Sequence, residues 1–174
     1  MADAFGYNYK LKYLNISTWE TANCTNMAYM FQELRSLPEF NITNFDTSKV
    51  TAPTATSPQF LSGMMIALKE LDLSSFDTNN VTNIYTMFSG KNQFTVFDYD
   101  TLLEKIYVSE KFTVANVTDK TQKVFEGNYN IVGGNGTKYS EDRINVNYAI
   151  IDNAIYDENG NYISGEQGYF TKKQ

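Results

Sequence analysis

The chain has 174 residues, of which 14 are basic and 20 are acidic, giving a net charge of −6. The basic residues form no cluster, which argues against nucleic acid or an anionic membrane surface as a partner. Histidine is absent, so the chain lacks the commonest general base and the commonest metal-binding side chain.

Short apolar segments with one shared spacing recur along the chain. Their last apolar residues alternate with polar ones, which predicts a strand with one buried face. The segments are Leu11-x-x-Leu14-x-Ile16, Leu37-x-x-Phe40-x-Ile42, Leu68-x-x-Leu71-x-Leu73 and Leu103-x-x-Ile106-x-Val108. Residues 94–99 fit the same pattern, so either this segment or 103–108 is the regular strand.

An aromatic residue, a polar bend and a second apolar group follow each predicted strand. The aromatics are 26, 31 and 36 residues apart, at Trp19, Phe45, Phe76 and Phe112. The polar segment suits a bend because Asp, Asn and Thr side chains hydrogen-bond to nearby backbone groups. Apolar residues at i, i+3 and i+4 then predict one or two helical turns. These residues are Met27, Met30 and Phe31 in one copy and Ile84, Met87 and Phe88 in another.

Repetition at a period of roughly 20 to 50 residues is typical of a solenoid, whose units bury their apolar stripes by stacking. We predict an α/β repeat solenoid, leucine-rich-repeat-like, with a short parallel β-strand ladder and short helical turns. Residues 1–127 are assigned to about four coils. The first coil is expected to begin within a repeat, because Phe5 precedes Leu14 as Phe31 precedes Phe40. Prolines in 51–67 predict a bulged coil there.

Residues 128–174 are predicted to form a β-rich capping segment over the last coil. Asn159-Gly160 stands between Tyr156 and Tyr162, which is a strong signal for a β-hairpin. A strand-like segment over 145–151 precedes this hairpin. Residues 168–171 are expected to add one more short strand.

Outward positions of the predicted strands form columns, and these columns are the predicted binding surface. A solenoid sheet offers a partner an extended surface of this kind. The candidate binding residues are Tyr13, Asn15, Glu39, Asn41, Glu70, Asp72, Lys105 and Tyr107. Their amides, charges and phenols suit hydrogen bonding to a protein or glycan, and they suit plain solvation equally well.

Acidic residues offer two further interpretations. Glu70 and Asp72, with Glu39 one rung away, could supply the carboxylate pair of a glycoside hydrolase. Outward strand positions are normally polar, however, so a solvated ladder is the simpler interpretation. Asp152 with residues 157–159 could hold calcium, although the spacing does not match the twelve-residue calcium loop.

The single cysteine, Cys24, occupies the slot held by valine in the other copies. We interpret it as a small packed hydrophobe rather than a reactive thiol. The glycine-rich residues 133–136 lack the Gly-Lys-Ser/Thr ending of a phosphate-binding loop. We therefore predict no catalytic residue, no metal site and no cofactor.

Two motifs in the chain resemble those of the BspA-type leucine-rich-repeat surface proteins of Gram-positive gut and oral bacteria and mycoplasmas. The repeat phrase FDTSxVTNMxxMF, preceded by LxxLxLS, is similar to Leu71-Asp72-Leu73-Ser74-Ser75-Phe76-Asp77-Thr78-Asn79-Asn80-Val81-Thr82-Asn83. The family's terminal segment looks like Val132-Gly133-Gly134-Asn135-Gly136-Thr137 followed by Gly168-Tyr169-Phe170-Thr171. The resemblance covers nearly the whole chain, and the chain departs from it at 51–67 and 91–102. It implies a surface-exposed protein that sticks to host matrix, other cells or polysaccharide, and it implies no catalytic residues.

We therefore expect a non-catalytic bacterial cell-surface adhesion module, extracellular in location, that binds a host or bacterial surface protein or glycan. Insertion in a membrane is not expected, since no apolar run is long enough to span one. Residues 1–10 also lack the features of a secretory signal. The alternative is a structural or host-recognition component of a phage or other particle. A carboxylate-based glycoside hydrolase is the third hypothesis.

Overall fold

A computed structural model of the chain describes residues 4–51, 66–91 and 101–174. Its strands are β1 (Glu70–Leu73), β2 (Lys105–Val108), β3 (Ile155–Tyr156), β4 (Tyr162–Ser164) and β5 (Phe170–Lys172), and a 3-10 turn lies at Val146–Tyr148. β1, β2 and β5 form a parallel sheet in that order, and β3 pairs with β4. The coil predicted for 51–67 and the strand alternative at 94–99 lie largely or wholly outside the described residues.

β1 and β2 show the alternation that the apolar spacing predicted. Leu71 lies beside Ile106 and Leu73 beside Val108 in the parallel register, and all four side chains are fully buried. The alternate residues of both strands face away from this core. The strand predicted within 103–108 is therefore present, and its inward and outward faces are confirmed.

The strands predicted near residues 14–16 and 40–42 are not formed, and this part of the prediction is wrong. The Ile16 carbonyl accepts hydrogen bonds from the Trp19 amide at 3.0 Å and from Asn44 Nδ2 at 3.2 Å. The Ile42 carbonyl likewise accepts from the Phe45 amide at 3.0 Å. The same turn bond follows β1, from the Phe76 amide to the Leu73 carbonyl at 3.0 Å, so the turn is present whether or not the ladder forms. Both isoleucines nevertheless remain buried.

The helical turns predicted for 27–31 and 84–88 are replaced by successive tight turns. Tyr29 has φ 57° and Thr86 has φ 55°, a left-handed conformation that an α-helix does not accommodate. The Met30 amide bonds to the Met27 carbonyl, and the Met87 amide to the Ile84 carbonyl. The apolar side chains at i, i+3 and i+4 are nevertheless buried, as the spacing predicted. A single turn is enough to bring these three positions to one side.

Buried threonine hydroxyls join each unit to the next. Each hydroxyl bonds to one partner residue in the following unit. It donates to the backbone carbonyl of that partner and accepts from the partner's backbone amide. The pairs are Thr21 with Asp46 at 3.0 and 2.8 Å, Thr47 with Asp77 at 2.9 and 2.8 Å, and Thr78 with Thr113 at 2.7 and 2.7 Å. The next copy carries Val114 in this slot. The threonine of the repeat phrase is therefore a bridge between units.

Replacing Thr47 by valine should lower the free energy of unfolding by about 1 to 3 kcal/mol, because it leaves the Asp77 amide and carbonyl without this partner. Valine keeps the shape of threonine, so packing changes little. Thr82→Val, at an exposed position, is the matched control and should change stability far less. Urea unfolding of both variants measures the difference, and equal stabilities would contradict a bridging role.

Backbone bonds show that the start of the chain occupies a repeat position. The Phe5 amide donates to the Met30 carbonyl at 3.0 Å, as the Phe88 amide donates to the Val124 carbonyl at 3.0 Å. The Phe5 ring stacks on Phe31 with centroids 5.8 Å apart, as Phe88 stacks on Phe125 at 5.5 Å. The equivalence inferred between Phe5 and Phe31 therefore holds in three dimensions.

The C-terminal residues enter the aromatic core. Tyr169 and Phe170 are fully buried, and Phe170 lies 4.8 Å from Phe112 and 5.7 Å from Phe88 between ring centroids. The Tyr169 hydroxyl accepts from the Ser140 amide at 3.0 Å. Burial raises the pKa of Tyr169 to about 12. This segment thus contributes to the interior that the repeat units share.

The predicted hairpin and final strand are both present. β3 and β4 are antiparallel and flank Gly160, whose φ of 82° suits a tight turn. β5 extends the parallel sheet beside β2. The strand-like segment expected at 145–151 instead contains the 3-10 turn, because the Asn145 side chain accepts from the Asn147 amide and starts that turn.

Candidate functional site

The outward residues of β1 and β2 form the best-defined part of the predicted binding surface. In register, Glu70 lies beside Lys105 and Asp72 beside Tyr107. The Tyr107 hydroxyl donates to Glu70 Oε2 at 3.3 Å. The structure therefore brings these four candidate residues together on one face. The name strand face is used below for all eight candidate residues, of which these four lie in β1 and β2 and the other four in the two earlier units.

Lys173 belongs with this group, although the sequence analysis did not select it. Its amide bonds to the Val108 carbonyl at 2.9 Å, which extends β5 along β2. Its Nζ lies 2.9 Å from Asp72 Oδ2 and 4.7 Å from the centre of the Tyr107 ring. The signal in the sequence was a lysine two residues beyond the strand predicted at 168–171, and its use required knowing that β5 pairs with β2.

The pKa of Asp72 is lowered and that of Lys173 is raised, and both shifts favour the charged forms of the pair. Burial alone would raise the pKa of Asp72, but hydrogen bonds from Ser74 and Lys173 lower it below its ordinary value. The hydrogen bond to Asp72 raises the pKa of Lys173. The carboxylate's contribution to stability is therefore present above the unfolded pKa and is lost as pH falls through the lowered folded value. The pair is partly exposed, so its contribution is small.

The remaining strand-face residues come from the two earlier units and are all exposed. Tyr13 is the most open, with 76% of its surface accessible. Asn15 Oδ1 accepts from the Ser17 amide at 3.1 Å, and Asn41 Oδ1 accepts from the Thr43 amide at 3.1 Å. These two amides thus act partly as turn-forming groups. Glu39, two residues before Asn41 in the sequence, is an exposed acid.

A family model described as "Mycoplasma protein of unknown function, DUF285" matches residues 1–127. The chain belongs to this family. No curated protein and no solved structure is significantly similar to the chain. The residues matched to DUF285 are also those assigned above to the repeat region, while the domain boundary itself stays a prediction.

The calcium interpretation of Asp152 gives way to a structural role in this DUF285 protein. Asp152 is 4% exposed. Its Oδ2 accepts from the amides of Asn135 and Thr137 at 2.9 and 3.0 Å, and its Oδ1 accepts from Thr137 Oγ1 at 2.8 Å and from the Ala154 amide at 3.2 Å. These donors occupy both carboxylate oxygens. Within the described residues, no group of three or more acidic, cysteine or histidine side chains could hold a metal ion.

Asp152 also explains the glycine-rich turn. A β-carbon added at Gly133 would lie 2.1 Å from the Gly168 carbonyl oxygen and 2.5 Å from Asp152 Oδ2. Only glycine fits this close approach. The turn is therefore held against the carboxylate and the last strand rather than kept open for a phosphate.

Cys24 is buried, at 9% exposure, and its Sγ donates to the Asn26 carbonyl at 3.2 Å. Among residues 4–51, 66–91 and 101–174, no helix has the length and apolar character needed to cross a membrane.

Proposed function

We propose that this chain is a non-catalytic interaction module of a bacterial cell-surface protein, related to the BspA-type leucine-rich-repeat proteins. On this proposal it is a leucine-rich-repeat-like solenoid, and the strand face is its binding surface. Its partner is a host or bacterial surface protein or glycan. The repeat phrase, the terminal motif and membership of the DUF285 family support the relationship.

The observation that carries the proposal is the asymmetry of β1 and β2. One side of each strand is fully buried, while the other presents a paired row of Glu70 with Lys105 and Asp72 with Tyr107. Threonine bridges repeat between units, which supports an extended surface built from repeated positions. A polar surface with tyrosines and both signs of charge suits reversible recognition of a macromolecule.

The test is binding of the purified chain to arrays of glycans and matrix proteins. A strand-face variant, Tyr13→Ala/Glu39→Ala/Lys105→Ala, should lose at least tenfold in affinity for at least one ligand found on these arrays. The control, Glu20→Ala/Lys111→Ala/Ile163→Ala, changes one acid, one lysine and one exposed apolar residue elsewhere and should bind normally. Circular dichroism should show both variants folded.

Two outcomes would count against this function. If the wild-type chain binds nothing on either array, an interaction role at the cell surface loses its support. If the strand-face variant binds as tightly as the control, recognition takes place on another surface.

A further inference from the structure

A cleft of about 650 Å³ lies between the loop after the glycine-rich turn and the β3–β4 hairpin. Its size falls within the range of roughly 300 to 1,000 Å³ that is usual for sites that bind small molecules. Its most distinctive lining residues are Lys138, Tyr139, Arg143, Tyr156, Tyr162 and Gln167. None of the strand-face residues lines it, so it is a separate place on the molecule.

The tyrosines of the cleft are held in place by bonds that use their hydroxyls. Tyr162 donates to the Gly165 carbonyl at 2.7 Å, and Tyr139 accepts from the Gly127 amide at 3.2 Å. The Tyr156 hydroxyl lies 2.7 Å from Thr137 Oγ1. The rings of Tyr156 and Tyr162 meet edge to face, with centroids 6.1 Å apart. What these residues offer a ligand is therefore ordered ring surface, which is the part that packs against apolar groups.

The charge of the cleft is opposite to that of the whole chain. Lys138 and Arg143 line it, and no aspartate or glutamate does, although the chain has a net charge of −6. Among the described residues, Lys138 has no ion pair, and Arg143 makes a long one, 3.8 Å from its Nε to Asp142 Oδ1. Asp142 is largely solvated, with 78% of its side chain exposed. Two cations that lack strong internal partners favour an anionic ligand.

Amide oxygens in the cleft can accept hydrogen bonds from a ligand. The Nδ2 of Asn161 is used by Asp157 Oδ2 at 2.9 Å, and the Nε2 of Gln167 by the Tyr156 hydroxyl at 3.1 Å. These bonds orient the two side chains. Within the described part of the chain, neither Asn161 Oδ1 nor Gln167 Oε1 receives a hydrogen bond. Both can therefore accept from hydroxyl groups.

We propose that this cleft binds a carboxylate-bearing sugar, such as a uronic or sialic acid residue of a glycan. Such a sugar combines an apolar ring face for the tyrosines, hydroxyl donors for the amide oxygens, and one carboxylate for Lys138 and Arg143. An acidic peptide would supply the charge, but it lacks a rigid apolar face surrounded by hydroxyls. The proposal does not depend on the strand face.

The test is calorimetric or NMR titration of the full chain with methyl glycosides of glucuronic, galacturonic and N-acetylneuraminic acid. Methyl glucoside and methyl galactoside serve as uncharged counterparts of the two uronides, and a blocked diglutamate peptide tests the acidic-peptide alternative. At least one acidic sugar should bind, and both the peptide and the uncharged counterpart, where that sugar has one, should bind at least tenfold more weakly.

Variants of the lining residues test whether the sugar binds in the cleft. Lys138→Ala/Arg143→Ala and, separately, Tyr162→Ala should each weaken binding of that sugar at least tenfold. Lys111→Ala, at an exposed position outside the cleft, should leave binding of that sugar unchanged. Circular dichroism should show that every variant is folded. Absence of binding by all three acidic sugars would overturn the proposal, as would equal binding of the uncharged sugars, equal binding of the peptide, or unchanged binding in the cleft variants.

Discussion

Replacing Phe170 by alanine should lower the free energy of unfolding by about 3 to 5 kcal/mol, the usual cost of removing a buried phenylalanine. Phe170 is fully buried. Its ring centroid lies 5.7 Å from Phe88, 4.8 Å from Phe112 and 6.0 Å from Phe125. The cavity would thus open where two repeat units meet the C-terminal segment. Urea unfolding followed by fluorescence or circular dichroism measures the effect.

A matched control for this prediction is Ile163→Ala. Ile163 lies in β4 and is 59% exposed, so its replacement removes an apolar side chain without opening an interior cavity. Its effect on stability should be small. If Phe170→Ala proves no more damaging than Ile163→Ala, the C-terminal strand does not share the core of the repeat units.

Replacing Asp152 by asparagine should destabilise the chain by about 3 kcal/mol, because a buried group that bonds to several donors loses its charge and one acceptor. The new amide nitrogen would face either the amide hydrogens of Asn135 and Thr137 or the Thr137 hydroxyl and the Ala154 amide. Two donors then oppose each other at a buried position. The glycine-rich turn should loosen first, because Asp152 anchors it.

Hydrogen exchange provides a second measurement for Asp152. The amides of Asn135 and Thr137 should exchange faster in Asp152→Asn than in the wild type, in addition to the fall in stability measured with urea. The control is Asp119→Asn, the same chemical change at an exposed site where the carboxylate accepts from Thr121. Comparable losses of stability in the two variants would show that burial of Asp152 contributes nothing.

The local features of this fold were predictable from neighbouring residues. The inward positions Leu71 and Leu73 follow from alternation at period two, since each face of a strand repeats every second residue. The β3–β4 hairpin follows from Asn159-Gly160, since these residues tolerate the backbone of a tight turn. The helical turn at 27–31 was predicted wrongly, because a spacing of i, i+3 and i+4 fits one tight turn as well as it fits a helix.

The candidate site was predictable only in part. Alternation placed Glu70 and Asp72 on the outward face, and the structure puts them there. It could not place Lys173 beside Asp72, because that contact depends on β5 pairing with β2. It also could not assemble the cleft, since Lys138 and Arg143 meet Tyr162 only when the hairpin folds over the preceding loop.

The sequence by itself determined the repeat spacing, the buried faces of β1 and β2 and the turn between β3 and β4, because these depend on residues a few positions apart. Only the tertiary structure decided that Thr47 bridges to Asp77, that Asp152 holds the glycine-rich turn and that Phe170 completes the aromatic core. Such contacts join residues far apart in the chain. Each of these contacts is stable only when many other contacts form at the same time, so no local sequence pattern predicts it.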